Sequence, residues 1–220
     1  MAEGATWVAT VTTNCGDIEL ELDGAKAPQT VASFLQLSTD SFYDDTPCHR
    51  LTTDGIFVLQ CGDPTGSGSG GPGYGYGIEN APKDGAYPTG TLAMARSSDP
   101  NSNGSQFFIV YQDTMLPVEG GGYTIFGKVT KGLDIVQSIA DKGVDGGSRR
   151  RRSQPAHQHP QRVGREGVGV AVRVPARTLA VGGAVRHERH LALRGASAVR
   201  GHRAARAARQ ACARLCQRGG

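Results

Sequence analysis

The amino-acid composition changes abruptly near Ser148, and no single globular fold suits both sides of that change. Residues 1–148 carry seven basic residues, five lysines with Arg50 and Arg96, against eighteen acidic ones, a net charge of −11. Residues 149–220 carry seventeen arginines against Glu166 and Glu188, a net charge of +15. The overall value of +4 averages two opposite halves and describes neither. The second segment contains no Lys, Asp, Asn, Ile, Phe, Tyr, Trp or Met. Without aromatics and with few large aliphatics, it buries too little apolar surface to offset its chain entropy. Two parts are therefore expected: a folded domain over 1–148 and an irregular, disordered Arg/Ala/Gly-rich tail over 149–220. The missing Phe, Tyr, Met, Ile, Asn and Lys share A/T-rich codons. This points to a GC-rich gene translated in an unintended frame beyond Ser148. The rival is a genuine basic tail attracted to nucleic acid or another polyanion.

The first part reads as many short strands. Thr6–Thr13 alternates, Asn14-Cys15-Gly16-Asp17 reads as a turn, and Ile18, Leu20 and Leu22 alternate with Glu19 and Glu21, which predicts a hairpin with one wet face. Pro28 opens a short helix with Val31, Phe34 and Leu35 at i, i+3 and i+4. Strand-like runs follow around Pro47–Leu51, Gly55–Cys61, Thr91–Ala95, Gln106–Tyr111 and Tyr123–Thr130, separated by Gly- and Pro-rich loops. A second helix fits Leu133–Asp141, with Asp134 near its start and Lys142 and Gly143 at its end. Many strands with two helices and no βαβ rhythm predict a mostly β fold, an antiparallel sheet closed into a barrel with helices covering its ends. In the second segment, Val168, Val170, Val172 and Val174 alternate with Gly169, Ala171 and Arg173, and Arg203–Leu215 is a candidate basic helix.

Several motifs are weaker than they look. Gly66-Ser67-Gly68-Ser69-Gly70-Gly71 has the spacing of a dinucleotide loop, but Pro72, Gly73, Gly75 and Gly77 follow where a helix must start. It reads as a flexible surface loop. Ser33 and Ser105 with His49 do not form a nucleophile elbow, and His49 reads as a packing or orienting residue. Cys15, Cys48, Cys61, Cys212 and Cys216 have neither metal spacing nor a secreted-type paired framework, so reduced thiols in the cytoplasm are expected. No apolar N-terminal run or membrane-length span is found, and neither a metal nor a cofactor is expected.

The informative stretches are His49-Arg50, Gly55-Ile-Phe-Val-Leu-Gln-Cys-Gly-Asp-Pro-Thr65, Asn101-Ser-Asn-Gly-Ser-Gln-Phe-Phe-Ile109 and Tyr123-Thr-Ile-Phe-Gly-Lys-Val129. In order and spacing they resemble the cyclophilin family of peptidyl-prolyl cis-trans isomerases, over residues 7–147. The resemblance implies an eight-stranded antiparallel barrel capped by two short helices. It also implies rotation of X-Pro bonds in proline-containing peptides and unfolded proteins, assisting their folding. Arg50 would be the catalytic guanidinium. Phe57, Val58, Phe108 and Leu116 would surround the prolyl ring, and Gln60, Ala95 and Gln106 would hold the substrate backbone or orient Arg50. Tyr123 stands where many members have histidine, and Met115 where many eukaryotic members have tryptophan. These departures, with the insertion before Gly55 and the Pro117–Gly122 loop, imply weak cyclosporin binding at most. A monomer is expected. The alternative is a proline-peptide binding module with little activity, whose basic tail binds nucleic acid.

The family's last strand follows the second helix, but here the resemblance stops at about Val144–Gly147 and arginines begin. The expectation is a barrel lacking that strand, with an unpaired edge. Phe57 and Gln60 raise a separate difficulty. They are three residues apart, so a regular strand points them to opposite faces, and both can line one site only if the strand twists or bulges.

Overall fold

The computed structural model describes residues 4–142 and 169–173. Strands β1 (Thr6–Thr13) and β2 (Gly16–Asp23) form the expected hairpin, paired from Thr6 opposite Asp23 to Thr13 opposite Gly16. Their alternation buries Ala9, Val11, Ile18, Leu20 and Leu22. It also turns Glu19 and Glu21 outward, to exposed ion pairs with Lys131 and Lys128. Helix α1 (Pro28–Thr39) has proline in its first turn, where the missing N–H costs nothing. Its preceding residue, Ala27, has no capping side chain. The Glu79 carboxylate does that work from a distant loop, accepting from the N–H groups of Gln29 (3.1 Å) and Thr30 (2.8 Å). Phe34 then packs into the core against Tyr43, Phe126 and Phe107, with ring centroids 5.3–5.5 Å apart.

Strands β3 (Thr46–Pro47), β4 (Arg50–Asp54), β5 (Ile56–Cys61), β6 (Ala86–Tyr87), β7 (Thr91–Met94), β8 (Phe107–Val110), β9 (Thr114–Met115) and β10 (Ile125–Lys131) follow. Helix α2 (Leu133–Lys142) and β11 (Gly169–Arg173) complete the described elements. Nine strands join one antiparallel sheet in the order β3-β11-β1-β2-β10-β7-β8-β5-β4, and β6 and β9 pair separately. Its two end strands are consecutive in the chain, with only Cys48 and His49 between β3 and β4. One face of the sheet buries the larger apolar core, with α1 and α2 packed onto it. The other face carries a smaller cluster of Val58, Tyr87, Ala93, Phe108, Val110 and Leu116.

Three expectations are corrected. The outer edge of β1 is not left unpaired, because β11 pairs antiparallel with β1 over Thr10–Thr13 and with β3 over Thr46–Pro47. The alternating valine run supplies the strand from far downstream; Val168, Val174 and the candidate helix Arg203–Leu215 lie outside the described residues. Among the described residues the main sheet has nine strands rather than eight, because the run expected around Pro47–Leu51 breaks at Cys48-His49 into β3 and β4. Cys48 and Cys61 form a disulfide rather than remaining free thiols. They come together because β4 and β5 are hydrogen-bonded neighbours, with Cys61 directly after Gln60 and Cys48 two residues before its partner Arg50.

Candidate active site

Register alone assembles the site. Arg50 on β4 lies opposite Gln60 on β5, Gln60 opposite Phe108 on β8, and Phe108 opposite Ala93 on β7. Side chains of paired residues point to the same face of a sheet, so these four form one row across four strands. Val58 and Ala95, two residues along their own chains from Gln60 and Ala93, share that face. Leu116 and Tyr123 pack against the same apolar cluster from the loop side, and the Tyr123 ring meets Phe108 edge-on at 5.8 Å.

A polar chain runs along one border of this patch. Arg50 Nη1 donates to Gln60 Oε1 (3.1 Å), and Gln60 Nε2 donates to Gln106 Oε1 (2.8 Å). Gln106 Nε2 donates in turn to the carbonyls of Gly68 (3.0 Å) and Gly70 (2.8 Å). The glycine loop is therefore not a free surface loop. Its Gly68 and Gly70 N–H groups donate to the Asp63 carboxylate at 2.6 and 3.1 Å. Burial would raise the Asp63 pKa, but the hydrogen bonds from Thr65, Gly70 and Gly68 prevail and hold it at about 2. Asp63 thus fixes the loop that fixes Gln106, which orients Gln60 and then Arg50. Gly62 allows this close packing. It takes φ +91°, and a side chain there would run into the Ser105 carbonyl.

Arg50 is half-buried, and burial lowers its pKa while the neighbouring Tyr123 raises it. Guanidinium stays charged through such shifts. Its remaining N–H donors, beyond the bond to Gln60, have no protein acceptor among the described residues. A cleft of about 880 Å³ opens beside the patch, lined by Gln60, Gly70, Tyr74, Ala95, Asn101 and Gln106 among others. His49 sits beneath the glycine loop, 9 % exposed, with its Cδ2 3.5 Å from where a Gly68 Cβ would be. Burial lowers its pKa, against the pull of the Asp63 charge.

The structure thus brings together Arg50, Val58, Gln60, Ala95, Gln106, Phe108, Leu116 and Tyr123. Phe57 stands on the opposite face, packed with the larger core and edge-on to Tyr111 at 6.0 Å. The β4–β5 register runs unbroken from Arg50 opposite Gln60 to Asp54 opposite Ile56, so no bulge turns Phe57 toward Gln60. Met115 lies at the rim, 64 % exposed. Sequence reasoning missed Arg96, Asp63 and Tyr87. Arg96 carried a usable signal, as one of only two arginines before Ser148. No group of His, Cys, Asp and Glu among the described residues is placed to hold a metal ion.

A half-buried guanidinium thus stands in one row with Gln60, Phe108 and Ala93, beside an apolar patch on an antiparallel sheet. The chain belongs to the cyclophilin family: the family described as cyclophilin type peptidyl-prolyl cis-trans isomerase/CLD matches residues 8–159. It is 47 % identical over 156 residues to a probable peptidyl-prolyl cis-trans isomerase B of Mycobacterium leprae, covering 65 % of this chain and 52 % of that protein. The Mycobacterium tuberculosis counterpart is 46 % identical over 148 residues, covering 61 % and 47 %. The chain thus spans about half the length of these relatives. Against the peptidyl-prolyl cis-trans isomerase cyp18 of Streptomyces antibioticus, identity is 39 % over 145 residues, covering 63 % of this chain and 84 % of that protein. Among solved structures, a cyclophilin type peptidyl-prolyl cis-trans isomerase of Cryptosporidium parvum superposes with a TM-score of 0.63 at 28 % identity, covering 78 % of this chain and 99 % of that one. The same protein in the presence of the dipeptide Ala-Pro gives 0.62 at 29 % identity, covering 77 % and 99 %.

Proposed function

We propose that this protein accelerates cis-trans rotation of X-Pro bonds in peptides and unfolded chains, with Arg50 as the catalytic group. Rotation about the X-Pro bond breaks amide resonance against a barrier of about 20 kcal/mol, and unassisted it takes tens of seconds or more. No bond to a heavy atom forms or breaks, so the reaction calls for neither a nucleophile nor a proton relay. In the twisted transition state the prolyl nitrogen regains a lone pair and the carbonyl loses polarity. A donor aimed at that nitrogen, beside a dry surface holding the ring, favours the twisted state over the planar one. The observation that carries this reading is Arg50 itself. One of its N–H groups is tied to Gln60, the others have no acceptor among the described residues, and the Val58, Phe108 and Leu116 surface lies on the same face. The structure of the Cryptosporidium relative in the presence of the dipeptide Ala-Pro, which itself carries an X-Pro bond, supports the same chemical class of ligand.

The same reading includes a closed barrel. Its support is that the two end strands, β3 and β4, are one chain segment interrupted only by Cys48 and His49, so the sheet returns on itself through the backbone. The decisive experiment is a protease-coupled assay on a short X-Pro peptide. Arg50→Ala should lose most of the parent's rate enhancement while melting near the parent's temperature, and equal rates in both would defeat the assignment.

A further inference from the structure

Leu116 and Tyr123 bound the apolar side of the site and are joined by a loop, Pro117–Gly122, that ends in three successive glycines. Gly120, Gly121 and Gly122 take φ values of 74°, 100° and 74°. Glycine loses more backbone freedom on ordering than any other residue, so a loop of this kind keeps one shape only when something outside it binds it. Within the loop, the Gly121 N–H donates to the Val118 carbonyl at 2.9 Å.

A single side chain supplies most of the rest. Arg96 Nε donates to the Gly122 carbonyl (2.7 Å), and Nη2 donates to the carbonyls of Gly120 (3.1 Å) and Glu119 (3.3 Å). Its Nη1 donates to the Ser97 carbonyl at 2.8 Å, which steadies the guanidinium against its own backbone. The guanidinium carbon also lies 5.1 Å from the centroid of the Tyr123 ring. Tyr123 is pinned by its backbone as well, with its N–H donating to the Tyr87 hydroxyl (2.8 Å) and its carbonyl accepting from that hydroxyl (2.9 Å).

We propose that Arg96 is a positioning residue of the isomerase site. It clamps the three-glycine loop and the Tyr123 ring, and thereby sets the gap between the Leu116 and Tyr123 walls that a prolyl ring must fit. The proposal rests on the isomerase reading above. The two arginines before Ser148 then have separate tasks. Arg50 keeps most of its donors for the substrate, whereas Arg96 commits Nε, Nη1 and both donors of Nη2 to protein carbonyls. A lysine cannot reproduce this, because three carbonyls in an arc are matched by a rigid planar fork and not by one rotating ammonium.

The test uses the full chain with Arg96→Lys and Arg96→Ala, beside Arg50→Ala, and measures kcat and KM on a short X-Pro peptide. Amide hydrogen exchange over 117–123 is measured on the same samples. The pocket walls touch the prolyl ring in its planar and twisted states alike, so the loss should fall on binding. KM rises about five- to ten-fold in both Arg96 variants while kcat stays within about two-fold of the parent. Exchange quickens at 119–122 and not in β5 or β8. Arg50→Ala should instead lower kcat. If Arg96→Ala fails to fold, Arg96→Lys carries the comparison. Parent-like KM in Arg96→Lys, or a raised KM with unchanged loop exchange, would overturn the clamp while leaving the Arg50 result intact. A parent with no isomerase activity would overturn the functional reading, and the exchange data alone would then decide the clamp.

Discussion

Strand β11 makes a sharp test, because two adjacent residues in it are predicted to respond differently to the same substitution. The turn between β1 and β2 has two residues, Asn14 and Cys15, which makes Thr13 and Gly16 a hydrogen-bonded pair. Bonding then alternates along an antiparallel ladder. Thr13 and Val11 face β2, while Thr12 and Thr10 turn their N–H and C=O groups toward β11. Their partners there are Ala171 and Arg173. The N–H of Ala171 therefore points at β1, and that of Val172 points away from it. On that far side β3 covers only Gly169 and Val170. Ala171→Pro removes a ladder donor and strands the Thr12 carbonyl, at a cost of about 1–3 kcal/mol. Val172→Pro removes no donor to β1. For a domain of this size, roughly 2–4 °C of melting temperature corresponds to each kcal/mol. Thermal melts by circular dichroism should show Ala171→Pro falling by roughly 2–12 °C and Val172→Pro by clearly less. Equal melting in both variants and the parent would show that β11 contributes nothing to the fold. A larger loss in Val172→Pro would show that the register is displaced by one residue.

Three further outcomes follow from the site and its supports. Gln60→Leu removes both the bond that holds Arg50 and the link to Gln106, so kcat should fall roughly 3–30-fold with little change in melting temperature; an unchanged kcat would mean that Arg50 is held by its strand alone. Asp63 has its folded-state pKa held at about 2, below its unfolded value, so its contribution of roughly 2–3 kcal/mol is present above about pH 4 and is lost as pH falls toward 2. Asp63→Asn should be less stable at neutral pH and should flatten the melting-temperature profile across that window, and parallel profiles would refute the assignment. Glu79→Ala leaves two N–H groups at the start of α1 without their acceptor and should cost about 1–2 kcal/mol in urea unfolding, with the midpoint unmoved if water replaces the carboxylate fully.

What could be read from the sequence divides by how far apart in the chain the partners lie. The β1–β2 hairpin and both helices follow from local alternation, a turn and a proline, and the structure has them where the pattern puts them. The disulfide, the Glu79 cap and the Arg96 clamp depend on residues 13 to 50 positions apart, which no local pattern brings together. The two-residue strands β6 and β9 were invisible for a related reason, since two residues have no period. Strand β11 is the reverse case. Its alternating pattern was legible, but the composition around it argued for disorder, and the open position between β1 and β3 prevailed.

Phe57 shows how resemblance and periodicity can pull apart within one strand. The resemblance sets it beside the prolyl ring, while the two-residue period sets it opposite Val58 and Gln60. In the structure the period holds: β4 and β5 pair without a bulge, and Phe57 packs toward Tyr111 on the core side. The apolar wall of the proposed site consequently consists of Val58, Phe108 and Leu116, which cluster on the Arg50 face with Tyr123 at the edge. Three of these walls hang on the packed strands or on β9, but Tyr123 follows a run of glycines. The part of the proposed site with the least local support is therefore the part that Arg96 holds, and substrate fit should be more sensitive to that loop than to any residue of the larger apolar core.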